Sequence, residues 1–236
     1  MKPIRRSIQT IAAALVLAGA AAAQTGFPFT NESLRYSINW PSGLSLGEAT
    51  FTAHRGEKGW EFEATLDAGV PGFSLADKFR SSATTDLCSL ELQKDTSHAG
   101  RKTREKTTFD QDALKAHRVT VFPEGGGESD LDVRLCARDA LALTYYARKE
   151  LGQGRVPAAQ QAYLGAAYSV RMDYTGAQTI TLGEKKPAVT DRVVVSVKGP
   201  KADLTFEVFF ARDAARTPLE IRVPLAVGTL SAELVR

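Results

Sequence analysis

The residues that could do chemistry in this 236-residue chain are few and scattered. Gly43-Leu44-Ser45-Leu46-Gly47 fits Gly-x-Ser-x-Gly, a motif that exposes a serine nucleophile on a strained turn between a strand and a helix. A strand pattern precedes it, but Glu48 to His54 alternates like a second strand. The helix is therefore missing, and a glycine-rich hairpin connection accounts for the residues. Glu61/Glu63 and Asp110/Asp112 have the side chains of a glycosidase pair, which must flank a substrate cleft. Glu61 and Glu63 instead share one face of a strand, where solvation is expected. Cys88, Cys136, His54, His98 and His117 match no metal-ligand spacing. Gly125-Gly126-Gly127 lacks the Lys-Ser/Thr that completes a phosphate loop. The expectation is a non-enzyme with no catalytic residues, no metal and no cofactor, and Ser45 is the remote candidate for a serine hydrolase.

The first residues speak to compartment. Lys2, Arg5 and Arg6 precede an apolar run, Ile8 to Ala20, and Ala21-Ala22-Ala23 stand before Gln24. This is the pattern of a cleaved export signal, too short for a comfortable membrane span. The expected organisation is a signal over 1–23 and a single β-rich domain over 24–236, periplasmic or secreted, with no transmembrane segment. Removing three basic residues leaves 27 of the original 30, against 27 acidic, so the mature chain is neutral with His uncharged. That balance argues against a nucleic-acid partner. The run Arg101-Lys102-Thr103-Arg104-Glu105-Lys106 has no interleaved aromatics for base stacking. It reads as a solvated strand face, with an anionic surface such as lipid headgroups as the alternative. In an oxidising compartment Cys88 and Cys136 read as a disulfide, the alternative being two buried thiols.

The elements that must position these residues are mostly strands. Leu34, Tyr36, Ile38 and Trp40 alternate with polar neighbours, as do Ala49, Phe51 and Ala53, and then Trp60, Phe62, Ala64 and Leu66. Later, Tyr168 to Tyr174, Val193 to Val197, Leu204 to Phe210, Leu219 to Leu225 and Leu230 to Leu234 repeat the pattern between turns. Gly100 to Thr108 lacks an apolar side and is expected to form an edge or a projecting arm. Gly69 to Phe73 is an apolar loop that either covers a pocket mouth or packs on the sheet. Gln153 to Gly165 reads as irregular. One helix stands out, Asp139 to Arg148, capped by Asp139 and running on towards Leu151-Gly152. Its apolar surface goes most of the way round, so a curved sheet should enclose it. Tyr145 and Tyr146 then either line a pocket or sit in the core with satisfied hydroxyls. The expected fold is mainly β: a strongly curved antiparallel sheet or open barrel with one principal α-helix packed against or inside it. A two-sheet sandwich with the helix at one end is the alternative.

Four pieces stand in order along the chain: Leu34 to Trp40 followed by Gly47-Glu48-Ala49, the helix Asp139 to Arg148, Asp213 with Arg216-Thr217-Pro218-Leu219, and Gly228 to Leu234. Together they resemble a family of exported bacterial proteins, the domain of unknown function 3108. The resemblance implies an exported β-rich protein with one helix and carries over no catalytic residues. The sided strands, the enclosed helix and the apolar loop point to an apolar or lipid-like ligand held in the curved sheet. The candidate lining residues are Trp40, Phe51, Trp60, Phe62, Tyr145, Tyr146, Phe206 and Phe210. The second reading is a cell-envelope structural protein without a cavity, recruiting a protein partner through the 100–108 segment.

Overall fold

The computed structural model describes residues 27–70, 73–183, 186–225 and 228–235. The expected export signal over 1–23 and the centre of the apolar 69–73 loop lie outside them. Eight strands form a first antiparallel meander: β1 (Asn31–Asn39), β2 (Ser45–Gly56), β3 (Gly59–Val70), β4 (Phe73–Ala83), β5 (Ser89–His98), β6 (Arg101–Asp110), β7 (Lys115–Phe122) and β8 (Glu128–Asp132). The two-residue β9 (Arg138–Asp139) leads into α1 (Ala140–Gly152). A second meander follows: β10 (Gln160–Tyr163), β11 (Ala167–Leu182), β12 (Lys186–Gly199), β13 (Ala202–Ala211), β14 (Pro218–Leu225) and β15 (Gly228–Val235).

The last strand returns to the first, with Tyr36 opposite Leu234 and Ile38 opposite Ala232. The described strands thus form one sheet in the order β8-β7-β6-β5-β4-β3-β2-β1-β15-β14-β13-β12-β11-β10-β9. Among them only the β9–β10 pair is parallel. The expected curved, open sheet around one helix is what forms, and the two-sheet sandwich is not. Register explains the sidedness. Leu34, Phe51, Ala64 and Phe79 stand opposite one another across β1 to β4, so their side chains share the concave face. Gly47 has no side chain because a Cβ there would stand 2.0 Å from the Asp67 carbonyl oxygen.

The sheet curls until its two ends face each other without completing a ladder. Leu92, Phe109, Ala116, Val133, Ala137 and Tyr163 fill the seam. The Gln111 side chain bridges it. Its amide donates to the Ser89 carbonyl (2.5 Å) and the Ala137 carbonyl (3.2 Å), and its oxygen accepts from the Ala137 amide (2.9 Å).

Two local expectations change. Residues 101–110 are an interior strand, paired to β5 on one side and β7 on the other, rather than an edge. Cross-strand ion pairs make this tolerable. On the convex face Arg80 reaches both Glu63 (3.2 Å) and Asp95 (3.5 Å), and Arg104 pairs with Asp95. On the concave face Glu105 holds Lys94 (3.1 Å) and Arg118 (3.0 Å). The segment after α1 is not wholly irregular, since β10 lies within it. Ile180, Phe209 and Leu219 form a small cluster of their own, flanked by Leu182, Ala188 and Leu234. Phe209 and its neighbour Phe210 belong to different clusters, as alternation along a strand requires.

Candidate functional site

The site is organised by how α1 is held. Asp139 caps its N-terminus: Oδ1 accepts from the amides of Leu141 (2.8 Å) and Ala142 (3.1 Å). Its Oδ2 accepts from the hydroxyls of Ser81 (2.5 Å) and Ser89 (2.6 Å), and its own amide donates to Ser89 Oγ (2.8 Å). Burial pushes the carboxyl pKa up, and the four donors pull against that without cancelling it. The Cys88–Cys136 disulfide pins the same end, with Cα atoms 4.6 Å apart.

The other end is held by a charge. Arg148 is 1% exposed. It grips Glu32 of β1 with two parallel bonds of 2.6 and 2.7 Å, and its Nε donates to the carbonyls of Ala215 and Arg216. The guanidinium also lies within 5.5 Å of the ring centroids of Phe27, Phe29 and Tyr145. Burial opposes the Arg148 charge, but Glu32 more than compensates, and the Arg148 pKa is raised. Tyr145 donates to Glu32 (3.3 Å) and Tyr36 donates to the Pro218 carbonyl (2.8 Å). Burial drives both phenols up, so both stay neutral donors.

Held this way, the helix fills one half of the sheet's interior. On one side Trp60 stacks on Phe62 (5.8 Å) and Phe62 on Tyr145 (4.4 Å), with Phe27 and Phe29 packed against them. On the other, Leu143 and Leu151 meet Val170, Val193, Val195, Val208 and Phe210. Beyond the first turn of α1 the interior is empty. A cavity of about 350 Å³ lies there. Its walls are Ile38 of β1, Ala49 and Phe51 of β2, Ala64 and Leu66 of β3 and Phe79 of β4. Ile221 and Val223 of β14 and Leu230 and Ala232 of β15 continue them, and Leu164 closes one side. Ala140, Leu141 and Thr144 make the floor. Thr144 is solvent-exposed, so the cavity is an open cup rather than a sealed void. Its polar lining is confined to Thr65, Thr144 and Ser231.

The sequence-derived candidates distribute unevenly over this arrangement. Phe51 lines the cup. Trp60, Phe62 and Tyr145 share the filled core beneath it, and Tyr146 packs between the two core clusters under the Arg138 guanidinium, 3.8 Å from its ring centroid. Phe206 and Phe210 lie with the valine-rich cluster. Trp40 does not reach the cup: β1 ends at Asn39, and Trp40 flanks a groove with Pro41, Glu220, Arg222 and Glu233. Large rings occupy the filled half, while alanines at 49, 64, 140 and 232 leave the space in the other. No single strand announces this space: inward Ala49 is followed by Phe51, and Ala64 lies between Phe62 and Leu66, so the alanines come together only across strands. Ser45 opens strand β2, with no helix after it. His54 lies nine positions on along the same strand, roughly 30 Å away at strand rise. Among the described residues no cluster of His, Cys, Asp and Glu could hold a metal ion, and no helix is long and apolar enough to cross a membrane.

These features define a class: a β-barrel-like cup, plugged at one end by a single helix and open at the other. The crystal structure of a β-barrel-like protein of domain of unknown function DUF1849 from Brucella abortus shares this fold, with a TM-score of 0.57 over 88% of this chain and 96% of that one. At 10% identity the likeness concerns the fold alone. The chain itself belongs to the family described as protein of unknown function DUF3108, which it matches over residues 35–235. No functionally curated protein matches it.

Proposed function

We propose that this is a non-enzymatic, exported binding protein that carries an apolar or lipid-like ligand in the cup above α1. The observation that carries the reading is the cup itself: about 350 Å³, lined almost wholly by aliphatic and aromatic carbon and reached by solvent. That volume falls at the small end of the range for ligand sites, and an apolar wall with few polar groups is their usual character. Export is supported by the Cys88–Cys136 bond, which belongs in an oxidising compartment such as the periplasm. A non-catalytic role is supported by the setting of Ser45, which opens strand β2 opposite Asn39 instead of standing on a strand-to-helix turn.

The test uses a neutral environment-sensitive probe, N-phenyl-1-naphthylamine, titrated into delipidated protein. Saturable fluorescence enhancement is expected for the native chain. Thr144→Trp should abolish it, because the side chain projects into the cup and makes only a bond to the Ala140 carbonyl (2.8 Å). Native-like circular dichroism and melting temperature in that variant separate blockage from unfolding. Non-saturable binding, or equal binding by both proteins, overturns the reading.

A further inference from the structure

The concave wall beside the cup carries a buried group of charges. Lys94 stands directly opposite Phe79 in the β4–β5 register, on the same face, and Phe79 is part of the cup wall. Lys94 and Arg118 both pair with the one carboxylate of Glu105, at 3.1 and 3.0 Å, and all three side chains are four-fifths or more buried. The group reaches the turn that carries Leu164. A Cβ at Gly165 would stand 3.1 Å from Glu105 Oε2 and 3.3 Å from Lys94 Nζ. Two cations on one anion leave a net charge of +1. Arg118 Nε is buried and finds no hydrogen-bond partner among the described residues. A buried donor without a partner is costly, and an incoming acceptor would satisfy it. Asp77, on the same face of β4 as Phe79, is already engaged by His98 at 2.8 Å.

We infer that the cup takes a single-chain anionic amphiphile, its chain in the apolar space and its carboxylate or phosphate head against Lys94 and Arg118. This rests on the apolar-ligand reading and adds the head group. The small volume suits one aliphatic chain rather than several. Arg118 offers a planar fork and Lys94 a point charge, the usual pair for such oxyanions.

The experiment is displacement of bound N-phenyl-1-naphthylamine by dodecanoate, monododecyl phosphate, dodecanol and dodecylammonium. The anions should compete about tenfold or more better than the alcohol, the scale of one hydrogen bond to a charged group. Whether dodecanoate or the phosphate wins assigns the head. Arg118→Gln, which neutralises the group, should reduce the preference to about threefold or less while probe affinity stays unchanged. Glu105→Gln, which leaves two cations, should increase it. The second variant decides the matter where the first fails to fold. Probe binding without anion preference, or a preference indifferent to both substitutions, overturns the head-group assignment and leaves the apolar cup standing. Absence of probe binding removes both.

Discussion

Glu32 and Arg148 lie 116 positions apart and meet in a dry site, so their bond fixes the helix to the strand that joins the two meanders. Arg148→Met leaves the Glu32 carboxylate buried without its counter-charge, held by the Tyr145 hydroxyl, at a cost of about 3–5 kcal/mol. Adding Glu32→Leu should restore much of that loss, since two apolar side chains replace two buried charges. Urea unfolding of both singles and the double variant measures the coupling, and a single-variant loss below about 1 kcal/mol would contradict the arrangement. The Asp139 carboxyl titrates in the opposite sense to most structural carboxylates. Burial raises its pKa in the folded chain, so the folded state holds the proton more tightly than the unfolded one. Its contribution to stability is therefore full below the ordinary carboxylate range and declines as pH rises through the raised value. Relative to Asp139→Asn, which cannot ionise, the native protein should lose stability between acid and neutral pH. Paired denaturation curves at several pH values check this, and a constant or rising difference refutes it. The cap itself was legible, because Asp before an Ala-Leu run has one common use. Arg148 was not. Its long-range partner is set by how far the sheet curls, which no local spacing encodes.

The helix is the element the sequence states most clearly. Ala140 to Leu151 has no competing signal, and the observed span Ala140–Gly152 extends the expected 139–148 run by only one turn. Strand β6 was misplaced because its Thr, Lys and Arg residues lack an apolar face. Position in a sheet depends on neighbours, and β5 and β7 supply matching charges at Glu91, Asp95 and Arg118. The disulfide joins the turn before β5 to the connection before β9, closing a separation of 48 residues. By loop entropy it contributes up to about 4 kcal/mol, often less in practice. Replacing both cysteines by serine should lower the melting temperature by several degrees, and a reducing agent should lower the native protein's by a similar amount. The two treatments act on one bond, so the double variant should be indifferent to reductant. A reductant-sensitive double variant would mean that something other than this cross-link is responsible.

At the scale of the molecule, the bent sheet was readable and its empty half was not. Alternation reveals which residues face inward, but whether they meet depends on side-chain volume summed across strands far apart in the chain. Ala49, Ala64 and Ala232 come from three strands and two ends of the sequence, and only their convergence makes a cup. That convergence requires the sheet to stay curled, and the seam between its ends has side chains where a ladder would be. Gln111 is the clearest of these, since its one amide group serves two backbones. Gln111→Ala strips the Ala137 amide of its acceptor in a buried place, which should cost about 1–3 kcal/mol. Hydrogen exchange should quicken at Ala137 to Asp139 and along β10, while amides in β2 and β3 keep their protection. The effect should then travel. β9 ends at Asp139, and Asp139 caps the turn that floors the cup, so apolar-probe affinity should fall although no cup residue has changed. Uniform loss of protection across the sheet would show that the seam is not a separate unit. Unchanged probe affinity despite faster exchange at 137–139 would show that the floor of the cup stands without it.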